Sequence, residues 1–247
     1  MRLTDRVYLV GSGANGFFLS HPRDCTVYAV DCNGPIVLVD AGVGEEGTDL
    51  ILDNLRADGL DPKRLTHLLI THKHADHSGG AAYLRDRHDV AVVTTAHTAQ
   101  ALRNGDEDMI SLGAAKQAGL YEPDYVFRAC PVEHVLSDGE ALTVGDITFH
   151  MLETPGHCAG HCAFTFRHEG KLHLFGGDNV FAGGRILLQN IPDCDLQAHL
   201  DTVRRLAALD VEVFLPGHTM PALREGRRHL EAAMARLDQL LVPESYV

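Results

Sequence analysis

The stretch Thr71–Gly80, THKHADHSGG, decides how the rest of the chain is read. Three histidines and an aspartate fall within six consecutive positions, His72 to His77, directly after the apolar run HLLI. In an extended segment leaving a strand, residues two apart point the same way, so His72 and His74 project together. Imidazoles at that separation can share one metal ion. The chain then turns into a helix opening near Ser78-Gly79, which aims Asp76 and His77 at a neighbouring point. One ion needs about four ligands, so this stretch completes no site by itself. Partners must come from elsewhere.

Three later positions have suitable settings. His157 lies in ETPGHCAGH, where Pro155-Gly156 breaks a strand and exposes the imidazole. Asp178 lies in LFGGDN and His218 in FLPGH, each after an apolar strand and a glycine-bearing break. A carboxylate can bridge two cations, which makes Asp178 the shared ligand. The set then divides into His72, His74 and His157 on one ion and Asp76, His77 and His218 on the other.

Outward from this stretch, the first third is β-rich. VYLV (7–10), TVYAV (26–30) and PIVLVD (35–40) read as strands, with Asn33-Gly34 as a hairpin signal between the last two. A helix is expected over Asp49–Asp58, with Leu50, Leu52 and Leu55 on its apolar positions, then the buried strand THLLIT. GGAAYLRDRH opens a helix and VAVVTT (90–95) is a further strand. Residues 98–130 lose the strand pattern and read as a helical excursion beside the site. Strands resume at ALTVGDITFHML (141–152), HCAFTFRH (161–168) and KLHLFGG (171–177). A helix at 196–209, the strand VEVFLPG (211–217) and a closing helix from Ala222 to Leu241 follow. Ligand-type residues recur just beyond strand ends, at Asp40, Thr71–His77, His157, Asp178 and His218. The expected fold class is α/β: a layered αββα sandwich of two mixed sheets with helices outside, over one domain spanning 1–247.

Composition narrows the function classes. A net charge of −13 disfavours a nucleic-acid or anionic-membrane surface, and no segment approaches the roughly 18 apolar residues of a membrane span. With no signal-peptide pattern, a cytoplasmic location is expected, and the six cysteines read as reduced thiols. Sixteen histidines against four lysines raise the prior for a metal site. GSGANG (11–16) matches a dinucleotide fingerprint, but FFLSHPRDC follows it with no helical period. It reads as a flexible turn, and nucleotide binding is rejected.

HKHADH (72–77), TPGHCAGH (154–161), GGDN (176–179) and LPGH (215–218) resemble the ordered motifs of the metallo-β-lactamase superfamily, and VDAG (39–42) resembles its first motif. The resemblance runs from about Val7 to His218. Within that superfamily, TPGHCAGHCAF followed by LFGGDNVFAGGR is most similar to the glyoxalase II-like hydrolases. The resemblance implies that His72, His74, Asp76, His77, His157, Asp178 and His218 are dinuclear metal ligands, and that Asp40 holds a ligand imidazole by its remaining N–H. Departures also carry information. The true β-lactamases of the superfamily do not carry the aspartate matching Asp178, so drug hydrolysis is disfavoured. The basic C-terminal residues with which glyoxalase II holds glutathione have no counterpart.

The expected chemistry is hydrolysis of a thioester, lactone or related carbonyl ester. Two cations roughly 3.5–4 Å apart can share a water and lower its pKa towards about 7, creating a hydroxide at neutral pH. Asp76 would orient it. Zinc is the first expectation, with iron or manganese as alternatives. Two other readings stand beside this one: a persulfide dioxygenase-like oxidoreductase using one iron, and a non-catalytic metal-binding module. The expected partner is a small-molecule substrate, with no nucleic acid or membrane, in a monomer or homodimer. Met109, Tyr121, Tyr125 and Phe127 are candidates for an apolar substrate wall, and Arg185 for a substrate carboxylate. Cys158 and Cys162 read as small buried residues, His161 as support, His97 as a helix cap, and Lys73 as facing solvent.

Overall fold

The computed structural model describes residues 1–246. Its first sheet is built from β1 (Val7–Gly11), β2 (Val27–Asp31), β3 (Ile36–Val39), β4 (Leu65–Leu69), β5 (Ala91–Thr94) and β6 (His134–Val135), which lie side by side in chain order. The first three strands pair antiparallel and the rest parallel. Asn33 and Gly34 both have positive φ between β2 and β3, as the hairpin signal requires. The second sheet contains β7 (Ala141–Val144), β8 (Ile147–Glu153), β9 (Cys162–His168), β10 (Lys171–Gly177) and β11 (Val211–Pro216), in the order β11-β10-β9-β8-β7. The run at 141–152 is two strands, split by the two-residue turn Gly145-Asp146.

The helices are α1 (Glu45–Ala57), α2 (Ala75–Ser78), α3 (Ala81–His88), α4 (Ala96–Asn104), α5 (Leu112–Gln117), α6 (Leu196–Ala207) and α7 (Arg227–Asp238). Three apolar layers hold the sandwich together. Val7, Leu9, Val37, Phe149, Phe164 and Phe175 interlock between the sheets. Ile51, Leu52 and Leu55 of α1 pack with Leu84 of α3 and Leu102 of α4 on the outside of the first sheet. Val203 and Leu206 of α6 meet Leu230 and Ala233 of α7 on the outside of the second. The expected mixed-sheet αββα architecture is therefore the fold observed. Among the described residues, no helix is long and apolar enough to cross a membrane.

Several local expectations need correction. α1 starts at Glu45, where Glu45 and Glu46 face the positive helix end, and Leu50 is exposed on its outer side. α7 is shorter than the 222–241 helix expected. Ala222 exchanges both backbone hydrogen bonds with Phe214, which makes it an extra rung on β11. Gly226 packs so closely on Phe214 that a Cβ there would lie 2.7 Å from the Phe214 Cβ. The 98–130 region contains most of α4 and all of α5, joined and followed by irregular backbone. The GSGANG loop is no loose turn. Ser12 accepts the amides of Leu19 and Ser20 on its carbonyl, and Ser20 donates to the buried Asp24. The two sheets leave β3, β4, β8, β10 and β11 ending on one edge. Asp40, Thr71–His77, His157, Asp178 and His218 follow those ends.

Candidate metal centre

The loop after β4 is extended through His74, then closes into the single turn of α2. That backbone change puts His72 and His74 on one point and His77 on another. His72 Nε2 comes within 3.1 Å of His74 Nδ1, and His157 Nε2 within 3.0 Å of the same nitrogen. These three atoms converge on one point from two loops. Burial and the neighbouring imidazoles push the pKa of His72 well down and that of His74 down to about 3; burial also lowers that of His157. All three rings are therefore neutral at pH 7, with lone pairs free for a cation.

A second convergence lies beside the first. His218 Nε2 is 3.1 Å from Asp76 Oδ2 and 3.4 Å from Asp178 Oδ2. His77 Nε2 is 3.5 Å from Asp76 Oδ2 and 3.3 Å from Asp178 Oδ1. Asp178 Oδ2 is also 3.8 Å from His157 Nε2, so this carboxylate faces both groups. Burial opposes protonation of His77 and His218, but the surrounding carboxylates outweigh it. They raise His77 well above its usual range and His218 to about 9. Asp76 falls to about 2 because the two imidazoliums overcome its burial. His77 Nε2 and Asp178 Oδ1 are buried without a hydrogen-bond partner among the described residues. Such atoms are costly in a folded protein, and a cation between them would satisfy both. The donor set of imidazole and carboxylate fits one or two divalent ions, and among the described residues four sets of three ligand-type side chains each bring their ligand atoms within 4.8 Å of one another.

Asp40 sits beneath both convergences. It is buried, with a positive φ of 63°. Its Oδ2 accepts from His77 Nδ1 at 2.8 Å, and its Oδ1 accepts the Thr71 amide at 2.8 Å. The Thr71 hydroxyl lies 2.9 Å from Asp40 Oδ2 and 3.1 Å from His72 Nδ1. One carboxylate thereby orients a ring in each group, directly for His77 and through Thr71 for His72.

Gly217, just before His218, leaves room for this arrangement. A Cβ there would lie 2.3 Å from Asp178 Oδ1 and 2.7 Å from His77 Cε1. Gly217→Ala is expected to displace one of those side chains, costing about 1–3 kcal/mol of stability. It should also weaken metal uptake at the second convergence, the ion site proposed below. Chemical denaturation and elemental analysis of the variant check both.

Sequence reasoning missed several neighbours. Thr71 and the Leu187 carbonyl, 3.3 Å from His157 Nδ1, support ligand-type rings. Cys25 stands with Asp40 and His77, its thiol held protonated by burial. Burial, and after it the Asp178 carboxylate, raise the Tyr246 pKa, and its ring packs 5.1 Å from Phe181. Lys73 contradicts its solvent-facing reading, because its side chain is only 1% exposed. Thr95, not His97, caps α4, and His97 is exposed. Among the substrate candidates, Phe127 is buried in the core cluster with Ala99 and Leu102 of α4. Met109, Tyr121 and Tyr125 are half-buried against that same core. Of these, Tyr121 reaches the centre, its hydroxyl 3.4 Å from Asp76 Oδ1, while the Tyr125 hydroxyl donates to Val43. Arg185 is exposed, beside Tyr246.

The sequence pattern of the metallo-beta-lactamase superfamily matches residues 21–218. An atrochrysone carboxyl ACP thioesterase of Aspergillus fumigatus is 25% identical over 77% of this chain and 49% of its own length. A hydroxyacylglutathione hydrolase of Halorhodospira halophila is 35% identical over 49% of this chain and 35% of its own. The chain spans about half the length of the first such relatives, 53% in one case. Among solved structures, BJP-1, a subclass B3 metallo-beta-lactamase of Bradyrhizobium japonicum, superposes with a TM-score of 0.73 at 20% identity, covering 97% of this chain and 92% of that one. A likeness at that identity speaks for the fold alone.

Proposed function

The chain belongs to the metallo-β-lactamase superfamily, and on that premise we propose that it is a metal-dependent hydrolase cleaving a thioester, lactone or related carbonyl ester. The observation that carries this is Asp178, a buried carboxylate facing His157 on one side and His77 and His218 on the other. His72, His74 and His157 would hold one ion, and Asp76, His77 and His218 the other, with Asp178 shared. Divalent cations held there, zinc first among those suited to imidazole and carboxylate, would supply an activated water and a positive pole for the carbonyl oxygen. The orphaned His77 Nε2 and Asp178 Oδ1 favour two ions over one.

This chain's own residues do the rest. Asp76, held ionised, accepts a hydrogen bond from the nucleophile and orients it. Burial raises the Tyr121 hydroxyl well above its usual pKa, so it stays a donor at neutral pH. Placed beside Asp76, it is the substrate-side residue best positioned to hold an acyl oxygen. Met109, packed against the same core, would add apolar wall, and Arg185, exposed beside Tyr246, would be a contact for an anionic substrate group. The relatives named as a thioesterase and as a hydroxyacylglutathione hydrolase support an acyl-hydrolysing reading.

The test is turnover of a panel of thioesters, lactones, phosphodiesters and β-lactams. Cleavage of a thioester or lactone, lost on chelation and regained with zinc, is expected. A metal-loaded protein inert towards every carbonyl ester would remove the proposal. The protonation pattern gives a second check. Ions at the first position meet neutral rings, whereas the second must displace protons from His77 and His218. Calorimetry near pH 7 in buffers of different ionisation heat should find proton release with the second equivalent and little with the first. Affinity for that second equivalent should rise with pH towards about 9, where His218 loses its proton.

A further inference from the structure

Lys73 stands between His72 and His74, and chain alternation sends its side chain away from the point they share. It still does not reach solvent. The ammonium donates to the Ala159 carbonyl at 2.7 Å and pairs with Asp193 Oδ2 at 2.5 Å. The same Asp193 oxygen accepts the Ala159 amide at 3.2 Å. Ala159 lies two residues beyond His157. Asp195, two residues beyond Asp193, donates its amide to Gly156 and caps α6 through its side chain. The other three lysines of the chain are exposed or half-buried. Burying an ammonium is costly unless it is paired and hydrogen-bonded, and here both conditions are met.

We propose that Lys73 is a positioning residue for the first metal position. Its ammonium ties the turn carrying His157 to the loop carrying His72 and His74, and so sets the separation of the three nitrogens. The inference rests on the metal-centre reading above. A cation beside the imidazoles does not help to bind another cation, and Lys73 in fact lowers the His74 pKa. If charge were its only influence, removing it would tighten metal binding. If it positions the ligands, removing it weakens binding. The sign separates the two.

The experiment is Lys73→Met in the full chain, with folding checked by circular dichroism. Affinity for the first equivalent of zinc is measured by competition with a chromophoric chelator, and the visible band of the protein is recorded with one equivalent of cobalt(II). Binding about tenfold weaker or more, with a shifted cobalt band, is expected. A folded variant with equal or tighter affinity and an unchanged band overturns the inference. Should Lys73→Met not fold, Asp193→Asn is read in the same way: a shifted band supports the tie and an unchanged one overturns it. A wild-type protein that takes up neither zinc nor cobalt removes the hydrolase reading itself, and this inference with it.

Discussion

Asp178→Asn is expected to lower turnover about a thousandfold or more, equivalent to some 4 kcal/mol of transition-state stabilisation. The substitution keeps the side chain's shape and removes its charge. That charge lies 3.3 Å from His77 Nε2, 3.4 Å from His218 Nε2 and 3.8 Å from His157 Nε2. It faces ligand atoms of both groups, so its neutralisation is expected to weaken both proposed metal positions at once. The fold should survive, because the backbone amide of Asp178 keeps its bond to His161. In the metal-free protein, the buried carboxylate is held well below its ordinary pKa, chiefly against its burial, by His218 and His77. A depressed carboxylate pKa stabilises the fold above the unfolded value and loses that contribution as pH falls. Metal-free Asp178→Asn should therefore melt lower than metal-free wild type at pH 7, with the difference closing in acid. Steady-state kinetics, metal content and thermal melts check the three parts.

His72→Ala is expected to abolish measurable turnover and to empty the first position. His72 is fully buried and stacks 4.8 Å from His161, so truncation also leaves a cavity. That costs about 2–4 kcal/mol, by analogy with large-to-small changes in cores. The sheets do not depend on this ring, and the variant should keep its circular dichroism spectrum while melting earlier. Asp76, His77 and His218 remain, so residual metal near one equivalent is expected, without activity. Full activity in the folded variant would contradict the proposed role.

Much of this was legible because the relevant signals are local. HxHxDH after an apolar strand states its own geometry: alternation pairs His72 with His74, and the turn into α2 redirects His77. Asn33-Gly34 gave the hairpin, and the strand-end pattern at Asp40, Asp178 and His218 gave the shared edge. What escaped was set by tertiary contact. Lys73 has the composition of a surface residue, and only the packing of the 154–161 turn and the Asp193 loop over it makes it internal. Phe127 and Tyr121 sit in the same irregular segment. Nothing in their spacing says that one fills the core while the other approaches Asp76. The late start of α7 at Arg227 follows from Ala222 pairing with Phe214, a contact between an edge strand and a segment that helix propensity alone would take into the helix.

The most direct measurement is elemental analysis of protein purified without added metal, with turnover recorded on the same sample before and after chelation. Close to two equivalents of a divalent transition metal per chain, with carbonyl-ester hydrolysis vanishing on chelation and returning on reconstitution, is the result this arrangement of side chains predicts. A metal-free preparation that hydrolyses at full rate would contradict it. So would a single iron per chain whose presence supports oxygen uptake on a persulfide and no ester cleavage.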